Sequence, residues 1–316
     1  MTKVLFNSSR PLGRCENLTA VWNAYDGEKV FVKNGFADVS YRPQTLVVTD
    51  EFVHKKRPDQ TVVMVDHSVH GGKLYGIDQP HGVYKRETCS LIDWYVTSSE
   101  HARTFAASSA GIPMERCLPL GVPRTDAYVG KRKGDGNTFL AKFARAYLFA
   151  PTFRASWEPK APEIDWAALD ARLEDDEVLV VKRHMVAGSP LTSGAYSHIV
   201  EVDSSEPSTP YLIDADVVVT DYSSIVLDGY LLGKPSVLFC PNDDLAAYKR
   251  TRGFYMDYPS AYGHVTCNGA GALVMSARLA LLEGMNDVER GCMEKCAGAC
   301  DGHSTERVIE LIRSLA

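Results

Sequence analysis

Strand-length apolar runs recur along this chain, each closed by a polar turn and followed by a stretch with helical spacing. No other feature constrains the fold as much. Val4–Phe6, Leu46–Thr49, Val62–Val65, Leu91–Thr97 and Cys117–Leu120 mark the first half, and Ala146–Ala150, Val178–Val181, Ile199–Val202, Val217–Thr220 and Ser236–Phe239 the second. They are rich in Val, Ile and Leu and do not alternate with polar residues, as expected of strands covered on both faces. His101–Ala110, Asp165–Leu173, Ile225–Leu232 and Ala270–Glu283 carry helical spacing between or after them. Strands alternating with helices imply parallel sheets joined by right-handed crossovers. The expected class is α/β, with two Rossmann-like, doubly wound domains, since 316 residues suffice for two such sheets. The Lys/Arg/Gly-rich segment Tyr128–Asn137 reads as the linker, dividing the chain into 1–136 and 137–316. Ser304–Leu315 is an amphipathic closing helix, able to pack back on the first domain.

Composition excludes several classes. Apolar residues make up 45% and charged residues 23%, values of a soluble globular chain rather than a disordered or fibrous one. No run approaches the roughly 18 to 20 apolar residues that span a bilayer. The segment MTKVLFNSSRPLG lacks the apolar stretch of a signal peptide, so a cytoplasmic location is expected, free or resting on the inner membrane face. Eight scattered cysteines then read as free thiols. Cys292, Cys296 and Cys300 share one helical face, but no second pair completes a zinc-type spacing, so they read as packing residues and no metal is expected. Without a Walker loop or a GxGxxG motif, ATPase and dehydrogenase readings lose support, and no cofactor is expected. Net charge is -6, unevenly shared: residues 1–145 hold 20 Lys and Arg against 15 Asp and Glu, whereas residues 146–316 hold 14 against 25. The basic half points to an anionic partner, with nucleic acid not among those expected.

In parallel α/β sheets, ligands bind where strand carboxyl ends meet helix N-termini, and five constellations fall at such junctions. After the run ending at Thr220 and Asp221 come Tyr222, Ser223 and Ser224, where a helix begins; the hydroxyls either cap that helix or join its N–H groups in holding a phosphate. Asp228 lies one turn further on, either toward the same cleft or in solvent. After Val65 comes DHSVHGGKLYG, which places His67, His70 and Lys73 beside flexible glycines. A histidine there can take a proton from a hydroxyl, and a lysine can neutralise phosphate charge. Lys182, Arg183 and His184 close another run as cations beside an imidazole. Finally, the turns Gly121–Asp126, with Arg124, and Ala150–Arg154, with Thr152, each offer an arginine fork to phosphate or carboxylate, or else a plain ion pair.

In this order the motifs resemble those of the CDP-glycerol glycerophosphotransferase family, the teichoic-acid glycerol- and ribitol-phosphate primases and polymerases. The resemblance rests on His70-Gly71, Gly121-x-Pro-Arg-x-Asp126, Ala150-Pro-Thr-Phe-Arg154, His184, Thr220-Asp-Tyr-Ser-Ser224 with Asp228, Lys234-Pro235, and Asp244-Leu-x-x-Tyr248-x-x-x-Arg252-Gly-Phe-Tyr-x-Asp257. It implies the GT-B architecture, two Rossmann-like domains facing across a cleft, the first for acceptor and the second for donor. It implies catalytic roles for His70, as base, and His184, and substrate binding by Lys73, Arg124, Thr152, Arg154, Thr220, Asp221, Ser223, Ser224, Asp228 and Arg252. His184, Ser223 and Ser224 would hold the donor diphosphate, with Asp228 near the polyol. The implied donor is CDP-glycerol or CDP-ribitol. The implied acceptor is an anionic polymer or lipid-linked saccharide, with peripheral membrane contact. The chain departs from the family pattern at Val69, Lys73, Tyr75 and Met185. A GT-B glycosyltransferase or UDP-sugar epimerase, and a non-catalytic polymer-binding protein, are the alternatives.

Overall fold

The computed structural model describes residues 3–33, 38–66, 68–69, 71–80, 82, 84–154, 158, 160–184 and 195–316. It divides into two compact units, one of Met1–Val129 with Glu294–Ala316 and one of Gly130–Met293. In chain order the elements of the first stretch are β1 (Val4–Ser8), α1 (Glu16–Ala24), β2 (Lys29–Lys33), β3 (Leu46–Thr49), β4 (Thr61–Met64), α2 (Arg86–Cys89), β5 (Trp94–Val96), α3 (Ala102–Ala110) and β6 (Cys117–Leu118). The second unit contains β7 (Arg145–Phe149), α4 (Trp166–Asp170), β8 (Glu177–Lys182), β9 (Ile199–Val202), α5 (Thr209–Asp214), β10 (Val217–Thr220), α6 (Ile225–Leu231), β11 (Ser236–Phe239), α7 (Asn242–Thr251), β12 (Val265–Cys267) and α8 (Leu273–Glu283). Helix α9 (Asp287–Ala297) crosses the unit boundary, and α10 (Ser304–Leu315) belongs to the first unit.

Each unit is built on a parallel sheet of six described strands, ordered β2-β1-β3-β4-β5-β6 in the first and β12-β11-β10-β7-β8-β9 in the second. Both faces of each sheet are covered, which is why the strands read as unbroken apolar runs. In the first unit Leu5, Val47, Val62 and Met64 pack with Ala106 and Ala110 of α3 on one side. On the other, Val4, Phe6, Val48 and Val63 meet Leu18 and Val21 of α1 with Val308, Ile309 and Ile312 of α10. Each buried Val, Leu, Ile, Phe or Met side chain here stabilises by about 1.5–3 kcal/mol, so α10, with Val308, Ile309 and Ile312, is a structural part of that core.

The turn Gly121–Asp126 explains how α10 is held. Asp126 caps it by accepting from the backbone N–H groups of Ser304 (3.0 Å) and Thr305 (2.6 Å). Gly121 sits at φ +87°, and a Cβ there would lie 2.2 Å from Ser304 Oγ, so only glycine fits. Cys292, Cys296 and Cys300 are buried, with Cys296 Sγ against Gly71.

Residues 130–137 differ from the linker read in the sequence. Asp214 accepts the N–H groups of Gly134, Gly136 and Thr138 at 2.7–3.0 Å, and Lys133 pairs with Asp216 at 2.5 Å. The segment is therefore an anchored loop of the second unit, and the division falls at 129/130 rather than 136/137.

At the start of β8 the buried carboxylate of Glu177 accepts from Tyr147 Oη, from Arg278 Nε and Nη2, and from the N–H of Glu174. Burial pushes its carboxyl up, but these bonds outweigh it and hold the group at about 2, against 4.5 ordinarily. A depressed carboxyl contributes stability above its ordinary range and loses it as the pH falls toward 2. We expect Glu177→Gln to lower stability by about 3 kcal/mol at pH 7, and the gap to wild type to shrink below pH 4.5. Urea unfolding of the full chain at several pH values measures it; a gap constant from pH 7 to 3 contradicts the assignment.

Candidate active site

In the second unit the strand order reverses between β7 and β10. The chain leaving β7 and the chain leaving β10 turn to opposite faces there, which opens a crevice at the strands' carboxyl ends. Ala150–Arg154 follows β7 and Asp221–Ser224 follows β10, so two of the motifs read from the sequence share one crevice.

Arg154 ties the two turns together. Its side chain is 9% exposed and lies between Asp221 and Asp244, exposed 3% and 7%. Nη1 and Nη2 form a fork on Asp244 (3.1 and 3.0 Å), and Nη2 also donates to Asp221 Oδ2 (2.9 Å). Asp221 Oδ1 accepts the backbone N–H groups of Thr152 (2.7 Å) and Tyr222 (2.6 Å), while Tyr222 Oη donates to Asp244 (2.7 Å). The guanidinium lies 5.0 and 4.8 Å from the ring centroids of Tyr222 and Tyr248, which stack on each other at 4.2 Å. Burial alone would lower the Arg154 pKa, but the two carboxylates hold it above its ordinary value. Burial, reinforced by Asp244, also raises the Tyr222 phenol, so it stays protonated and donates. The fork that the sequence offers to phosphate or carboxylate thus holds carboxylates.

The hydroxyls of the crevice fall into two groups. Thr220 Oγ1 donates to Ala150 O (2.6 Å) and closes the gap between the strand ends. Thr152 Oγ1, in a residue 8% exposed, is buried with no hydrogen-bond partner. Ser223 and Ser224 are half-buried; Ser224 makes no side-chain cap bond, and Ser223 Oγ accepts from Ile225 N at a long 3.4 Å. Capping, the plain alternative for this pair, is therefore weak. Asp228 is buried on α6, not solvated. His184, after β8, is exposed with its ring 5.6 Å from that of Phe153, next to Thr152. Lys182 Nζ donates to the carbonyls of Arg183 and Ser204, and Arg183 pairs with Glu201, so this cationic pair is taken up within the protein. Arg252 ends α7 and lies 3.8 Å from Glu158, which also accepts from Tyr248 Oη (3.3 Å).

In the first unit His70 and His67 lie outside the described residues. Their surroundings are described. Buried Asn17 donates to Val65 O and Asp66 O and accepts the N–H of Arg124 (3.0 Å). It thereby joins the turn before the histidines to the turn of Arg124, whose Nη1 donates to Tyr128 Oη. Asp66 has φ +53° and accepts from Tyr95 Oη (2.6 Å). Lys73 is partly buried in the same unit. Sequence reasoning gave no role to Asn17, Asp66, Tyr95, Glu158, Tyr222, Asp244 or Tyr248. For two of these a signal existed: Asp244, Tyr248 and Arg252 follow at a spacing of four and line one face of α7.

The order of motifs now stands on a matching architecture, and comparison with known proteins decides the family. The family described as CDP-glycerol:poly(glycerophosphate) glycerophosphotransferase matches residues 24–314. The chain belongs to this family. A teichoic acid poly(ribitol-phosphate) polymerase of Bacillus spizizenii is 30% identical over 226 residues, 65% of this chain but 35% of that protein. A teichoic acid glycerol-phosphate primase of the same organism is 27% identical over 87% of this chain and 70% of its own length. Among solved structures, a variant of the wall teichoic acid polymerase TagF matches with a TM-score of 0.78 at 17% identity, covering 99% of this chain and 89% of that one. That likeness establishes the GT-B class of the fold. A UDP-bound structure of MnaA from S. aureus shares it more loosely, with a TM-score of 0.63 at 12% identity over 100% of this chain and 97% of that one.

Replacing Arg154 by Met leaves Asp221 and Asp244 buried without their counter-charge, and should cost about 3–5 kcal/mol. Tyr222→Phe, which removes one hydrogen bond to Asp244, should cost about 1–3 kcal/mol. Urea unfolding of the two variants checks the ranking; a loss under 1 kcal/mol for Arg154→Met contradicts the network's role.

Proposed function

We propose that this glycerophosphotransferase-family chain transfers glycerol phosphate or ribitol phosphate from a CDP-activated donor to a hydroxyl of a teichoic-acid-like or capsular glycopolymer precursor. The acceptor oxygen attacks the β-phosphate, its bond to phosphorus forms as the bond to the bridging oxygen breaks, and CMP leaves. The acceptor proton passes to His70. His184, Ser223, Ser224 and Thr152 hold the diphosphate, and Asp228 orients the polyol. Lys73 and Arg124 serve the acceptor, while Arg154, Thr220, Asp221 and Arg252 shape the donor crevice. Because CMP is a good leaving group, the protein supplies position and charge rather than a covalent intermediate.

What carries the reading is the unpartnered Thr152 hydroxyl set at the β7/β10 crevice with the half-buried Ser223 and Ser224. Buried polar atoms without partners are rare, and a cluster of hydroxyls at a switch point fits a diphosphate that supplies acceptor oxygens. The basic composition of residues 1–145 supports an anionic or lipid-linked acceptor presented at the inner membrane face. No described helix is long and apolar enough to cross a membrane.

The direct test offers the protein CDP-glycerol, CDP-ribitol and UDP-sugars and follows CMP or UDP release. CMP release with acceptor extension is expected; UDP release instead rejects the reading. Ser223→Ala with Ser224→Ala should raise the donor KM by at least about a hundredfold, the loss of about two hydrogen bonds to a charged group at about 1.5–3 kcal/mol each. His70→Ala should abolish transfer without altering the melting temperature. Acceptor binding should also weaken between low and moderate salt, and a flat response contradicts an anionic acceptor.

A further inference from the structure

The first unit has a switch point of its own that the donor chemistry leaves unused. Its strand order 2-1-3-4-5-6 reverses between β1 and β3, so a crevice forms at the carboxyl ends of these strands. Ser8, Ser9 and Arg10 enter it from β1, and Asp50 and Glu51 from β3. Asp50 is fully buried; one carboxylate oxygen accepts from Arg10 Nη2 (2.6 Å), and the other, Oδ1, has no partner. The Arg10 N–H is itself held by Ser8 Oγ (3.0 Å). Arg10 is therefore fixed at both ends of the residue, yet its side chain is 33% exposed. A guanidinium carries five N–H donors, and Asp50 takes one of them. The contrast is Arg154, whose Nη1 and Nη2 are both bound to buried carboxylates. Glu51, partly exposed, accepts the Ser9 N–H with Oε1, and no other hydrogen bond to its carboxylate is seen among the described residues.

We propose that the β1/β3 crevice binds the hydroxyl-bearing end of the acceptor, with Arg10 donating to, and Glu51 accepting from, a pair of neighbouring hydroxyls while Asp50 fixes the guanidinium. The charge balance selects this ligand class. One cation against two carboxylates leaves the crevice net negative, which disfavours a phosphate, whereas a hydroxyl both accepts and donates and so satisfies both groups. The inference rests on the transferase reading above and names where its acceptor terminus sits.

The test uses the full chain and short poly(glycerol phosphate) oligomers, intact or with the terminal diol cleaved by periodate. Binding is followed by saturation-transfer NMR, and transfer from CDP-glycerol is measured in parallel. Intact oligomers should bind, and periodate treatment should weaken them at least tenfold although every phosphate remains. Arg10→Gln and Glu51→Gln should each raise the acceptor KM at least tenfold with the donor KM within twofold, and Arg10→Lys should recover part of the loss. No binding to wild type, equal binding of cleaved and intact oligomers, an unchanged acceptor KM in Arg10→Gln, or displacement by inorganic phosphate each overturns the proposal. If CDP-glycerol is not turned over but diol binding still depends on Arg10, the transferase reading fails and the crevice stands. Turnover with an unchanged acceptor KM in Arg10→Gln gives the reverse.

Discussion

One guanidinium shared by two buried carboxylates organises the second unit. Arg154 follows β7, Asp221 follows β10 and Asp244 sits on α7, so a single side chain fixes three separate segments at the carboxyl end of one sheet. The cluster is net negative and would be costly to bury on its own. Two backbone N–H groups on Asp221, the Tyr222 hydroxyl on Asp244 and two aromatic rings beside the guanidinium meet that cost. In consequence the turn carrying Ser223 and Ser224 is set from beneath, and its hydroxyls need not stabilise it themselves.

That arrangement separates two kinds of residue that a motif presents as equals. Thr220, Asp221 and Arg154 spend their polar atoms on the protein, whereas Thr152, Ser223 and Ser224 keep hydroxyls in reserve. The same division holds in the first unit, where Asn17 and Asp126 bind backbone while Arg10 retains donors. Conformational precision comes from the first kind, which places the second without drawing on it.

Much of the fold was legible because strands buried on both faces must be apolar throughout, as Val217–Thr220 and Val178–Val181 are. The edge strand Lys29–Lys33 escaped, since it is only half-buried and closes with lysine at each end. The segment Gly130–Asn137 misled because composition records charge and glycine but not whether backbone N–H groups have partners; Asp214, far along the chain, supplies them. The serine pair and the Ala150–Arg154 turn were recognisable from strand-end position. What could not be read was Arg154's pairing with Asp244, a contact spanning 90 residues. Asn17 was hidden for the same reason, having no local motif to announce it.

The capped helix α10 bears on how the molecule forms. Its apolar face completes the core under β1 and β3, strands that precede the whole second unit in the chain, whereas Gly130–Met293 is one continuous stretch. During translation the second unit holds all its own residues well before the first does. Until α10 arrives, β1 and β3 have only α1 against that side of their sheet, and the apolar surface left exposed invites association with other chains. A piece of the first unit's core is thus translated only after the whole of the second unit.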